Sequence, residues 1–142
     1  MKIKNSLFAQ LLKKLLHHSV PEIDVENAFL QKEQFTFLDA REYAEFELSH
    51  IKDAHHVGYK NFNTDRLPKL DLSNRIVVYC SVGYRSEKIA EKLSILGYKN
   101  VQNLYGGIFE WHNQGYRVVN SSGVTTDIHP YNAAWGVWLS KK

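Results

Sequence analysis

Ile76-Val77-Val78-Tyr79-Cys80-Ser81-Val82-Gly83-Tyr84-Arg85-Ser86 decides how the rest of this chain is read. A run of β-branched and aromatic residues predicts a strand that ends on the only cysteine. A short loop with one glycine and one arginine follows, and a helical pattern begins at Ser86. A strand, loop and helix with a thiol at the strand's carboxyl end is how an open α/β sheet presents a nucleophile. The thiolate is the reactive form of cysteine, so the question is whether the loop favours an anion. Five residues between Cys80 and Ser86 let backbone N–H groups converge on the sulfur, and the Ser86 helix adds the positive end of its dipole. Gly83 permits the φ > 0 turn that points those groups inward. Arg85 offers a planar fork suited to an oxyanion. A lone cysteine at a strand end is by itself ordinary core; Gly83, Arg85 and the helix start turn it into a candidate anion cradle.

Working outward, residues Ser86–Leu96 place Ile89, Ala90, Leu93 and Leu96 on one helical face, with Glu87, Lys88, Glu91 and Lys92 turned outward. Gly97 is placed to end that helix in a left-handed conformation. Upstream, Asp24 caps a short helix carrying Val25, Ala28, Phe29 and Leu30. Phe35-Thr36-Phe37-Leu38 reads as a strand ending at Asp39, residues 41–49 as a helix, and His55-His56-Val57 as a short strand. Residues 61–74 read as a polar loop with a short helix near Thr64–Leu67. Downstream, Val101–Leu104 is a strand, Gly106-Gly107 a tight turn, and Ile108–Asn113 a helix ended by Gly115. This alternation predicts βαβ units and a parallel sheet.

The same residues resemble a known family. Cys80-Ser81-Val82-Gly83-Tyr84-Arg85-Ser86, preceded by Ile76-Val77-Val78-Tyr79, is similar to the active-site loop of single-domain rhodanese-type sulfurtransferases. Phe37-Leu38-Asp39-Ala40-Arg41, Glu45-Phe46, His50-Ile51 and Ala54 resemble the family's first motif. Gly97-Tyr98, Asn100-Val101, Leu104, Gly106-Gly107-Ile108 and Trp111 resemble its closing segment. The resemblance implies a rhodanese-like α/β domain over residues 20–119: a central, mostly parallel five-stranded sheet with helices on both faces. It also implies a double displacement in which Cys80 takes the sulfane sulfur of a small anionic donor such as thiosulfate. The Cys80 persulfide then passes that sulfur to cyanide, a thiol or a protein acceptor. Ser81, Val82, Gly83, Tyr84, Arg85 and Ser86 would bind the donor and stabilise the persulfide, Arg85 orienting an anion. Asp39 and Arg41 match scaffold positions near the loop and are expected in supporting roles. No cofactor or metal is implied.

Two other readings of the loop stand beside this one. A non-catalytic binding or regulatory module of the same fold commonly lacks the cysteine, which is present here. Cysteine-dependent phosphatases place one more residue between cysteine and arginine, a wider cradle than the four here give. The sequence departs from the family pattern at Asp53 and His55-His56, away from the thiol, and at Tyr84, which suggests a partly hydrophobic mouth.

The remaining sequence sets limits. A chain of 142 residues fits one domain, and 44% hydrophobic with 23% charged residues suits a folded protein. A formal net charge of +3 is too small and too dispersed to argue for nucleic acid. One cysteine allows no intramolecular disulfide and no internal resolution of a persulfide, so the acceptor is expected to be external. No apolar run has the ~18–20 residues of a membrane span. The N-terminal pattern, broken by Lys13 and Lys14 with no small-residue cleavage site, does not read as a signal peptide. A cytoplasmic location is the expectation. His55 and His56 point to opposite faces of a strand and do not suggest a metal site.

Both ends lie outside the family core. Residues 1–19 are expected to form an amphipathic helix over 6–18, capped by Ser6, with apolar pairs at 7/8, 11/12 and 15/16. Residues 120–142 form an aromatic extension in which Tyr131, Trp135, Trp138 and Leu139 share a helical face behind Pro130. That extension is expected to pack on the domain or to form a homodimer surface.

Overall fold

The computed structural model of the chain describes residues 2–140. In chain order these form α1 (Ser6–Leu15), β1 (Glu22–Asp24), α2 (Val25–Leu30), β2 (Thr36–Asp39), α3 (Tyr43–Leu48), β3 (His55–His56), β4 (Arg75–Tyr79), α4 (Tyr84–Ile95), β5 (Asn100–Tyr105), α5 (Gly107–Asn113), β6 (Val118–Asn120), β7 (Gly123–Thr125) and α6 (Ala133–Gly136). Short 3₁₀ turns lie at Lys32–Gln34 and Thr64–Arg66.

Five strands form one sheet in the order β1-β5-β4-β2-β3, and every neighbouring pair is parallel. A parallel sheet buries both faces, and β4 shows why its sequence is continuously apolar. Val77 and Tyr79 face one core with Phe37, Leu104, Ile108 and Trp111; Ile76 and Val78 face the other with Leu38, Ile89, Ala90 and Leu93. Thus α1, α2 and α5 cover the first face and α4 the second. The chain runs outward from β2 to the β3 edge, returns to β4, and then moves the opposite way to β5. Cys80 follows β4 beside that reversal, where open α/β sheets form a crevice at their carboxyl ends.

The expected strands and central helices are present, with shifted ends. α1 is capped by Asn5, whose side chain accepts from Leu7 and Phe8 N–H, rather than by Ser6. It stops at Leu15 instead of residue 18 because the chain turns through His18 (φ 54°) toward α4. There Glu87, expected outside, is fully buried: its carboxylate accepts from His17 N at 3.0 Å and Ser19 N at 3.3 Å. α4 begins at Tyr84, two residues before the predicted start, with Gly83 as its N-cap. β1 is not apparent from its three residues; pairing Ile23 with Leu104 of β5 makes it a strand.

The tail also differs from expectation. Val118–Asn120 and Gly123–Thr125 form an antiparallel hairpin, and β6 reaches back through a bridge between His50 and Val119. The helix expected behind Pro130 is one turn, Ala133–Gly136, capped by the Asn132 side chain. Tyr131 (φ 67°) precedes it and takes no part in a helical face. Trp135, Trp138 and Leu139 nevertheless pack on the domain's own core. Trp138 stacks on Phe8 of α1 at 5.5 Å, joining the two ends of the chain.

This stacking makes Trp138 part of the fold. Trp138→Ala is expected to cost about 2 kcal/mol or more in urea unfolding, given the usual cost of deleting large packed aromatics. A midpoint equal to wild type would mean that the tail does not dock.

Candidate active site

Cys80 directly follows β4 and is 1% exposed, the floor of a crevice rather than a surface thiol. Only Ser81, Val82 and Gly83 separate it from α4. Gly83, at φ 123°, bends the chain so that its own N–H donates to Sγ at 3.2 Å. Within the first turn of α4, Ser86 N–H donates to the same sulfur at 3.4 Å. The first-turn N–H groups of a helix have no intrahelical acceptor and carry the positive end of its dipole. The sulfur therefore sits where an anion is favoured. Of the residues expected to converge on it, Gly83 and Ser86 do so through backbone N–H.

Two neighbours hold this loop. Ser86 Oγ lies 3.4 Å from Sγ but 2.6 Å from Oδ1 of Asn103 on β5. A hydroxyl has one proton, and the shorter contact takes it. Asn103 Nδ2 in turn donates to the Gly83 carbonyl at 3.0 Å. On the other side, the carbonyls of Cys80 and Ser81 accept from Ile108 and Phe109 N–H at the start of α5, both at 3.0 Å. That approach needs Gly107: a Cβ there would lie 2.6 Å from the Cys80 carbonyl oxygen and press on the Ser81 carbonyl as well.

Arg85 does not reach into the crevice as a free fork. Its guanidinium is bidentate to Glu45 on α3, Nη1 to Oε2 at 2.7 Å and Nη2 to Oε1 at 2.9 Å, and Nη2 also donates to Ser81 Oγ at 2.9 Å. Glu45 and Arg85 side chains are 3% and 11% exposed. Burial works against ionising Glu45, but the hydrogen bonds and charge of Arg85 outweigh it and hold the carboxyl below the usual carboxylate range. Asp39 and Arg41 form a second, fully buried pair: Arg41 Nη2 donates to Asp39 Oδ2 at 2.8 Å and to the Ser49 carbonyl at 2.6 Å. They lie behind the crevice and brace the β2–α3 turn.

A cavity of about 300 Å³ opens above Cys80. Ser81, Val82, Tyr84 and Arg85 line it, so the structure brings together four of the six predicted loop residues at the cavity wall, with Gly83 and Ser86 beneath the sulfur. The chain ends contribute too: Leu15 from α1, and Tyr131 and Trp135 from the tail. The Tyr131 ring lies 4.7 Å from Arg85 Cζ, a cation–π contact. Sequence reasoning did not single out Glu45, Asn103 or Gly107 as site residues. No local signal marks Asn103, which follows Gln102 in the strand and gives no hint in sequence that it alone of the two amides is buried. Among the described residues, no group of three or more His, Cys, Asp or Glu is arranged to hold a metal ion. No helix among them is long and apolar enough to cross a membrane.

Comparison with known proteins agrees with this geometry. A family model described as "Rhodanese-like domain" matches residues 24–114. A tRNA uridine(34) hydroxylase from Erwinia tasmaniensis is 34% identical over 91 residues, 60% of this chain and 26% of that protein. The Bacillus subtilis protein named "Putative sulfur carrier protein YrkF" is 35% identical over 97 residues, 66% of this chain and 51% of that one. The chain thus spans about a quarter to a half of the curated relatives it matches. Among solved structures, a rhodanese-related protein from Thermoplasma volcanium superposes with a TM-score of 0.63 at 28% identity, covering 70% of this chain and 97% of that one. A polysulfide-sulfur transferase homodimer from Wolinella succinogenes shares the fold, with a TM-score of 0.60 at 20% identity over 82% of this chain and 90% of that one.

Two substitutions test the cradle. Gly107→Ala forces a Cβ into two backbone carbonyls at φ +62° and is expected to destabilise the protein by about 3 kcal/mol or more in chemical denaturation. A wild-type midpoint would mean the close approach is not required. Glu45 has a lowered folded pKa, so its contribution is complete above the ordinary value of 4.5 and is lost as pH falls through the lower folded value. Glu45→Gln is expected to lose about 3 kcal/mol at pH 7, leaving Arg85 buried without its partner. Its unfolding free energy should also fall less steeply than wild type below pH 4.5. Parallel acid limbs would refute the pairing.

Proposed function

Since this chain belongs to the rhodanese-like domain family, we propose that it is a sulfurtransferase working through a Cys80 persulfide. Two backbone N–H groups aimed at one sulfur at the start of a helix carry this reading. They favour negative charge on Sγ before reaction and on the cradle's contents after it. With thiosulfate as donor, the Cys80 thiolate attacks the outer sulfur; the sulfur–sulfur bond of the donor breaks and sulfite leaves with its electron pair. The product, Cys80–S–S⁻, carries its charge on a sulfur that extends toward the free N–H groups of the α4 first turn. Attack by cyanide or a thiolate on that outer sulfur then returns the Cys80 thiolate and releases thiocyanate or a new persulfide. Nothing in this cycle needs a histidine base or a metal. Because Cys80 is the only cysteine, the acceptor comes from outside the chain.

Loop length favours sulfur over phosphate as the group transferred. Four residues between Cys80 and Arg85, three of them before the helix begins, leave a tight ring around Sγ. A binding module without chemistry would not need the sulfur held by two donors and its loop clamped from two sides.

Intact mass measurement after incubation with thiosulfate or a polysulfide tests the reading. The expected result is a gain of one sulfur atom, removed by cyanide and absent in Cys80→Ser. Folded protein with a free Cys80 that gains no sulfur from any sulfane donor would rule out the transferase.

A further inference from the structure

The crevice above Cys80 is not furnished for a small dianion. Arg85, the charge expected to hold one, is neutralised by Glu45 and covered by the Tyr131 ring. Glu42 presents a second carboxylate to the cavity, and its Oε1 is buried without a hydrogen-bond partner among the described residues. Lys60, the remaining cation among the described lining residues, is exposed, where water screens it. With the Cys80 thiolate added, the cavity's charge balance is net negative. An incoming dianion would be desolvated beside a thiolate and a carboxylate with one unsatisfied oxygen, with no uncommitted guanidinium to meet it.

The walls suit a different cargo. Leu15, Val82, Tyr84, Tyr131 and Trp135 surround the opening with apolar and aromatic surface. About 300 Å³ is in the range of sites that hold small organic ligands. Leu15, Tyr131 and Trp135 lie outside the family match at residues 24–114. They are fixed in place by the fold itself, through Trp138 on Phe8 and through Glu87 on the segment after α1. The mouth is therefore built by the parts of the chain that the family domain does not supply.

Resting on the sulfurtransferase reading, we propose that the donor at this site is an organic hydropersulfide, bound in its protonated and therefore neutral form, whose aryl or alkyl group lies against Leu15, Tyr84 and Trp135. The Cys80 thiolate attacks the terminal sulfur of R–S–S–H. The Cys80 sulfur–sulfur bond forms as the donor's breaks, and R–S⁻ leaves with the electron pair. The proton stays on the transferred sulfur, giving Cys80–S–S–H, and no external oxidant or reductant enters. Burial of R against the walls fixes the outer sulfur in line with Sγ, a positioning effect that thiosulfate cannot gain here.

Loading of Cys80 is followed by intact mass with thiosulfate, cysteine hydropersulfide and benzyl hydropersulfide, each rate divided by that of a free small thiol with the same donor. Benzyl hydropersulfide is expected to load about tenfold or more faster than cysteine hydropersulfide. Trp135→Ala and Leu15→Gln, each first shown to be folded by thermal denaturation, are expected to bring that ratio toward one. Equal rates in the wild type, or thiosulfate loading fastest, overturn the donor class and leave the sulfurtransferase reading standing. A preference that survives both substitutions overturns the assignment of the wall. No loading by any of the three donors overturns the reading beneath it. If either substitution abolishes folding, the other variant and the wild-type series decide.

Discussion

The Cys80 and Ser81 peptides are turned so that their carbonyls point at α5, and the rest of the site depends on that orientation. Ile108 and Phe109 N–H groups capture those carbonyls, which is possible only because Gly107 has no side chain to hold the helix off. With the carbonyls committed to one side, the loop's next N–H groups are left facing the sulfur. Asn103 fixes the far end by accepting from the Ser86 hydroxyl through Oδ1 and donating to the Gly83 carbonyl through Nδ2. A buried backbone polar group without a partner costs free energy comparable to a lost hydrogen bond, so each anchor also satisfies a group that burial would otherwise penalise. The donors at Sγ are thus oriented before any substrate arrives, the condition under which electrostatic stabilisation acts without reorganisation.

Charge in the site follows a similar logic. An arginine one residue into a helix, beside a cysteine, reads in sequence as an anion receptor. Its environment makes it something else. Glu45 and Ser81 Oγ hold the guanidinium across the loop, and breaking a pair this buried leaves an uncompensated charge. Arg85 thereby becomes a strut joining α3, the loop and α4. The electrostatic favour toward the sulfur then comes from oriented backbone dipoles at short range.

What was legible in the sequence tracks how locally each feature is determined. β4 declares itself because burial on both faces demands four apolar residues in a row, and α4 because its core face repeats at helical spacing. The positions of Cys80 and Gly83 relative to the helix follow from those two elements. β1 was not legible, since Glu22 and Asp24 flank one apolar residue and only the edge of β5 makes them a strand. The roles of Glu45 and Asn103 were not legible either. Their partners lie 40 and 17 positions away, and a contact at that separation is a property of the fold, not of a local pattern. The tail misled for a related reason. Its aromatic spacing mimics a helix, but the residues reach the core by a single turn and an irregular run of chain, so that Trp135 and Trp138 pack inward without a continuous helical face.

On the proposed sulfurtransferase reading, the two ends of the chain bear on selection more than on chemistry. Among the described residues, every hydrogen-bond donor to Sγ lies between Gly83 and Ser86, inside the span that matches the family, so the cradle takes no donor from residues before 24 or after 114. Adding α1 and the tail deepens the crevice, covers Arg85 with Tyr131, and lines the rim with leucine and tryptophan. Trp138 stacks on Phe8 and so joins these two additions to each other as well as to the domain. Fold stability and the proposed donor choice thus share the contacts that dock the ends, among them Trp138 on Phe8, and a change that loosens the ends should widen the site's tolerance before it weakens the cradle.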